Sequence, residues 1–216
     1  MSQQTRKTRY LFIGIFSILC VILIGVLIHK YRVAHSDIRL RSTRTNTAKT
    51  FRYSVQKNVS ADQAGKDFQP GYYDVAVKSG RVYVNGFLGS GQTFQNVLYA
   101  SGNHLNFTGH GETKLAPARF KAIQFNSGRA ILTNTFGNYM AGREMPVGSY
   151  QITWSSQRQS QGSLVISIQS GAKVRRSIDL SANKSITFKL NETEILSINP
   201  PVTSVVAPLQ IVMTKK

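Results

Sequence analysis

Apolar and polar residues alternate along most of this chain with the period of a β-strand. In "GYYDVAV" Tyr73, Val75 and Val77 fall on one side and Asp74 on the other; in "GSYQITW" Tyr150, Ile152 and Trp154 oppose Gln151 and Thr153. Successive strand side chains point to opposite faces, so the first sets predict a core face and the second a face toward water. Further runs of β-formers follow: "RVYVNGF", "FQNVLYA", "HLNFTG", "ARFKAIQF", "GSLVISIQ", "RSIDLS", "KSITFKL", "EILSI" and "APLQIVMT", each broken off by Gly, Asn or Ser. Many short strands with regular turn signals predict an all-β fold of the sandwich or barrel kind.

One stretch breaks the pattern. Residues 10–28, "YLFIGIFSILCVILIGVLI", carry no charge. At about 1.5 Å per residue a helix of that length nearly crosses a ~30 Å hydrocarbon core, which predicts a transmembrane helix. A cleavable signal peptide would have a shorter apolar run and an A-x-A-like site, whereas this run passes straight into "HKYR". The expected organisation is a cytoplasmic tail (1–9), the anchor (10–28), a basic juxtamembrane stalk (29–59) with a short strand at "FRYSV", and the β region beyond. Basic residues flank the helix on both sides, Arg6, Lys7 and Arg9 before it and Lys30, Arg32, Arg39, Arg41 and Arg44 after it. Long domains translocate largely regardless of such charge. The acid-poor, Ser/Thr/Asn/Gln-rich composition fits an exported domain, so the C-terminal region is placed outside the cell. Cys20, the single cysteine, lies in the apolar run, which leaves the β region without a disulfide or a cysteine metal site.

"AGKDFQPGYYDV" (64–75) returns as "AGREMPVGSYQI" (141–152). Sliding the chain over itself pairs Ala64 with Ala141, Gly65 with Gly142, Lys66 with Arg143, Asp67 with Glu144, Gly71 with Gly148, Tyr73 with Tyr150 and Val75 with Ile152. Gly71 and Gly148 suit a turn position with positive φ just before a strand. Beyond the turn, 104–115 aligns with 185–195, placing Glu112 over Glu192, and 116–125 with 207–213. Such an internal repeat predicts two tandem small β-sandwich-like units, 60–130 and 131–216. The pattern A-G-[KR]-[DE]…G-x-Y-[DQ]-[VI], followed by a Gly-bearing turn and a second strand, resembles a short "G-K-D-I-P-A-G-x-Y-x-V" module of secreted and membrane-anchored proteins of Gram-positive bacteria. Pro70 stands one place from that family's proline, and Val147 replaces its small residue. The resemblance implies an envelope-exposed β module and no catalytic residue.

Candidate chemistry is thin. His104, His110 and Glu112 could be drawn as a metal site, yet the aligned second segment keeps the acid and lacks both histidines, so a polar hairpin loop is expected instead. No P-loop, H-E-x-x-H or G-x-S-x-G motif occurs; neither an enzyme nor a cofactor is expected. Charge is the stronger signal: 27 Lys and Arg against 9 Asp and Glu, a formal +18. A field of that sign attracts polyanions. Lys30, Arg32, Arg39, Arg41, Arg44, Lys49, Arg52 and Lys57 are therefore expected to meet anionic wall polymer or lipid headgroups, each near-surface cation being worth roughly 1 kcal/mol. An accessory role docking another membrane protein is the alternative. Nucleic acid is the less favoured polyanion: Tyr72, Tyr83, Phe87, Phe94 and Tyr99 could offer stacking platforms beside Lys78, Arg81 and Lys121, but no RNP-like or helix-turn-helix signature accompanies them. Function specific to one half is to be sought where the halves differ, at Tyr72, Arg81 and His110 in the first and at Trp154, Arg158, Arg175 and Arg176 in the second.

Overall fold

The computed structural model describes residues 16–28, 41, 48–56, 58–156, 162–171, 173–201 and 208–216, with the backbone alone for 58–61. The chain divides into two compact units, Met1–Arg39 and Leu40–Lys216. In the first, residues 16–28 are helical, and their large apolar side chains, Phe16, Leu19, Val21 and Leu23 among them, are exposed. No helix among the described residues is long and apolar enough to cross a membrane. Residues 10–15 of the expected span lie outside the described residues.

The second unit is all β. Its strands are β1 (Phe51–Val55), β2 (Asn58–Gln63), β3 (Gly71–Tyr83), β4 (Phe87–Gly89), β5 (Thr93–Tyr99), β6 (His104–Pro117), β7 (Arg129–Thr133), β8 (Thr135–Met140), β9 (Gly148–Ser156), β10 (Ser163–Ser170), β11 (Lys173–Ser181), β12 (Ser185–Leu190), β13 (Ile195–Asn199) and β14 (Leu209–Lys215). The alternation read from sequence sets the core: Tyr73, Val75, Tyr150, Ile152 and Trp154 are all fully buried. Each such side chain removes enough apolar area from water to contribute roughly 1.5–3 kcal/mol.

Two turns built alike lead into β3 and β9. Gly65 N donates to Phe68 O at 2.7 Å, and Gly142 N to Met145 O at 2.8 Å. The Asp67 carboxylate accepts from Gln63 N (2.8 Å), and that of Glu144 from Met140 N (2.6 Å). Buried Tyr73 donates its hydroxyl to Gln69 O, and Tyr150 its own to Pro146 O, so neither phenol is left without a partner in the core. Gly71 (φ 156°) and Gly148 (φ 148°) open the strands, in a backbone region that L side chains rarely adopt.

A ten-stranded sheet runs β1-β6-β3-β5-β8-β13-β10-β11, with β2 added on β6 and β4 on β3; a four-stranded sheet runs β12-β9-β14-β7. The large sheet passes from the first half of the unit to the second through one short parallel ladder, Thr93–Gln95 of β5 against Thr135–Gly137 of β8. Where that ladder stops, Asn96 and Asn138 continue it with their amides, each donating Nδ2 to the other's carbonyl at 3.0 and 3.1 Å. One hydrophobic cluster extends from Val55 and Phe107 through Phe136 to Leu180 and Met213.

Several expectations change. The boundary at 130/131 falls inside β7, and the expected stalk contains, besides the strand expected at "FRYSV" (β1), the start of β2. The segment 118–125 is not a strand. Phe120 has φ 46°, and Ile123 N bonds to Glu144 O, so this stretch is a crossover laid on the unit with Ile123 buried. β7 and β8, absent from the sequence reading, are short and interrupted by Asn134 at φ 52°, which breaks the alternation. "HLNFTGHGETK" is not a hairpin loop but most of β6. Its alignment with 185–195 also fails, because Tyr99 of β5 lies opposite Gly71 and Leu190 of β12 opposite Gly148. The turn 100–103 therefore matches 191–194: Ala100 N bonds to Asn103 Oδ1 as Asn191 N bonds to Glu194 Oε2. Glu112 sits mid-strand, whereas Glu192 sits in that turn. The pairing of 116–125 with 207–213 is likewise out of step, since Leu115 opposite Val75 corresponds to Met213 opposite Ile152.

Candidate anion-binding site

The acids are largely spent inside the fold. Tyr53 donates its hydroxyl to Asp62 at 2.7 Å, and burial, followed by that carboxylate, pushes the phenol's pKa up. Asp74, expected to face water, is half-buried and accepts from Asn96 N at 2.9 Å; burial raises its carboxyl above the usual range despite that bond. Glu194 pairs with Arg175 at 2.8 Å.

Glu144 pairs with Arg41, also at 2.8 Å. Arg41 was expected among the solvated basic residues and is instead 3% exposed. Its guanidinium lies 4.8 Å from the Tyr72 ring centroid and 5.4 Å from that of Phe120, in a socket of one carboxylate and two aromatic faces. Burial raises the Glu144 carboxyl, with Arg41 and Met140 N opposing the shift.

Of the other expected cations, Lys30, Arg32, Arg39, Arg44 and Lys57 lie outside the described residues, and Lys49 is exposed ahead of β1. Arg52 is placed where a site can form. It projects outward from β1 directly opposite Lys114 of β6, with Ser54 opposite Glu112. β3 adds Lys78 at the register shift between Val77 and Ser79. Arg52, Ser54, Lys78, Glu112 and Lys114, with the backbone around Tyr53 and Thr113, enclose an open cavity of about 270 Å³. Among the described residues none of its three cations forms an ion pair or a side-chain hydrogen bond. Ligand pockets for whole drug-sized molecules begin near 300 Å³, so the cleft fits one small anionic group of a larger ligand.

The register-matched positions of the second half carry no such charge, although Arg129 lies further along the same row of β7. Ile131 faces Val212 there as Arg52 faces Lys114, and Thr133 faces Gln210 as Ser54 faces Glu112. The second half's own arginines serve the fold. Arg175 and Arg176 donate to Lys189 O (2.7 Å) and Thr187 O (3.2 Å) of β12, an edge strand of the small sheet whose carbonyls would otherwise be open. Trp154 is core and donates Nε1 to Leu180 O at 2.7 Å, and Arg158 lies outside the described residues. Of the expected stacking platforms, Tyr72, Phe94 and Tyr99 are buried, while Tyr83 and Phe87 lie toward the surface. His104, His110 and Glu112 share the outward row of β6, and no cluster among the described residues could hold a metal ion. Sequence reading missed the pairing of Arg52 with Lys114. Its signal, a cation at alternate positions of two strands, becomes visible only once their register is known.

What the geometry defines is an all-β unit with a small cationic cleft on one half. No family model and no curated protein matches the chain. Among solved structures it is similar to "Crystal structure of PBSX exported protein XepA", at 9% identity and a TM-score of 0.27, over 81% of this chain and 88% of that one. A likeness of that size transfers no function.

Proposed function

We propose that this protein is a non-catalytic module of the bacterial cell envelope, anchored by residues 10–28, whose first-half cationic face binds an anionic wall polymer or lipid headgroup. The observation that carries the reading is the convergence of Arg52, Lys78 and Lys114, all uncommitted, on one cleft. Charge kept only for solubility would not need to gather there while the register-matched positions Ile131, Thr133, Gln210 and Val212 are neutral. The exposed apolar side chains of residues 16–28 support the anchor. We read the two similar turns and ladders as one β unit written twice, as in the Gram-positive surface modules that the sequence resembles.

The test is retention of the full chain, in detergent micelles, on poly(glycerol phosphate) between about 50 and 500 mM salt. Affinity is expected to fall linearly in log–log form, with a slope set by the phosphates neutralised. The variant R52Q/K78Q/K114Q should lose most of that slope. Salt-independent retention, or a triple variant that binds as well as the parent, would refute the reading. A second reading, docking of a membrane protein partner, is favoured by Ile131, half-exposed on edge strand β7, and predicts the salt-independent result. Protease accessibility on intact cells tests the outward orientation.

A further inference from the structure

The cleft is one end of a longer surface. On β6 the side chains of His104, Asn106, Thr108, His110 and Glu112 are all exposed, in an unbroken outward row that ends at Lys114, while Leu105, Phe107 and Leu115 face the core. β3 lays Ser79, Arg81 and Tyr83 beside Glu112, His110 and Thr108, and β4 sets Phe87 against Tyr83. At Gly111, whose φ is 135°, a Cβ would strike the Ser79 carbonyl oxygen, so the backbones of β3 and β6 approach here more closely than any side chain would allow.

Beyond Gly111 the chemistry changes from charge toward ring. Tyr83 is 36% exposed and meets Phe87 edge-on at 5.1 Å between centroids. The Arg81 guanidinium lies 4.0 Å from the Phe87 centroid. Arg81 thus packs on Phe87 and Phe87 on Tyr83, whose ring stays partly exposed. Thr108, Asn106 and His110 surround it with hydroxyl, amide and imidazole groups. Along β6, Lys114 and Thr108 are separated by at most roughly 20 Å at about 3.3 Å per residue, a span that a polymer can bridge.

We infer, building on the polyanion reading above, that this face takes a phosphodiester polymer whose repeating unit carries a sugar. Its phosphate oxygens lie at Arg52, Lys78 and Lys114, where a guanidinium fork and two ammonium groups suit them. Its sugar ring lies on Tyr83. A sugar has an apolar C–H face for the aromatic ring and hydroxyls on its rim for Thr108, Asn106 and His110. Single-stranded nucleic acid is the competing occupant, but it is held by successive aromatic platforms, and this face exposes one.

The full chain in detergent micelles is titrated with bare poly(glycerol phosphate), with the same polymer glycosylated, and with single-stranded DNA of equal phosphate number. The glycosylated polymer is expected to bind about tenfold more tightly than the bare one, the scale of one aromatic stack. Tyr83→Ala should abolish that preference, Tyr83→Trp should retain it, and R52Q/K114Q should weaken both polymers. Equal binding of the two polymers, or a preference that survives Tyr83→Ala, overturns the sugar assignment and leaves the polyanion reading standing. Tightest binding to DNA, lost in Tyr83→Ala, overturns it in favour of nucleic acid. If none of the three ligands binds, the polyanion reading falls with it.

Discussion

Replacing Arg41 by Ala removes the buried cation from a carboxylate that cannot reach water. Both side chains of the Arg41–Glu144 pair are almost wholly buried, and among the described residues Glu144 would keep the Met140 N–H as its hydrogen-bond donor, with the charge of Arg143 farther off. Breaking such a pair from one side costs about 3–5 kcal/mol, chiefly for the orphaned charge, and the guanidinium's contacts with Tyr72 and Phe120 add to it. A loss of about 4 kcal/mol, with a urea m-value of roughly 2 kcal/mol/M, moves the denaturation midpoint down by about 2 M. Trp154 is the sole tryptophan and fully buried, so its fluorescence reports unfolding of the β unit directly. The orphan explanation carries two riders. R41A/E144Q should recover part of the loss, because a neutral amide tolerates burial better than a carboxylate. Acidification should also shrink the R41A penalty. Burial has already raised the Glu144 pKa, and a carboxyl whose folded pKa is raised contributes stability below its unfolded pKa that is lost as pH rises through the folded one. An R41A midpoint within about 0.5 M of the parent, or a double variant no more stable than R41A at neutral pH, would refute the reasoning.

Two further outcomes are expected. Asp74 is raised by burial, so the parent's stability relative to D74N should be greatest near pH 4 and decline as pH rises through the raised pKa; thermal melts of both proteins from pH 4 to 8 check this. Among the described residues the buried Thr113 hydroxyl has no hydrogen-bond partner, and its register-matched position in the second half is Ile211, so T113V should stabilise the fold by about 1 kcal/mol in urea titrations.

The strands that alternate cleanly were legible from the sequence, and so were the turns before them. Tyr73, Val75, Tyr150, Ile152 and Trp154 declare a core face because strand geometry is local and has a period of two. Gly71 and Gly148 announce a backbone that only glycine adopts at little cost. The Arg81–Phe87–Tyr83 arrangement was half legible, since its residues were singled out but not as neighbours. β7 and β8 were missed because Asn134 interrupts them, and residues 118–125 were misread because an apolar run also serves a crossover. Arg41 was misplaced for a related reason: nothing in "DIRLRSTR" distinguishes a cation that stays in water from one drawn into a socket formed by Glu144, Tyr72 and Phe120.

Local pattern thus settled the all-β class, the core-facing residues and the excess of positive charge, since each depends only on neighbours in the chain. The joining of the halves through β5 and β8, the burial of Arg41 and the convergence of Arg52, Lys78 and Lys114 were decided in three dimensions. Each depends on segments distant in sequence being brought together, and for the cleft a shift of one residue in the β1–β6 register would turn Arg52 or Lys114 to the opposite face.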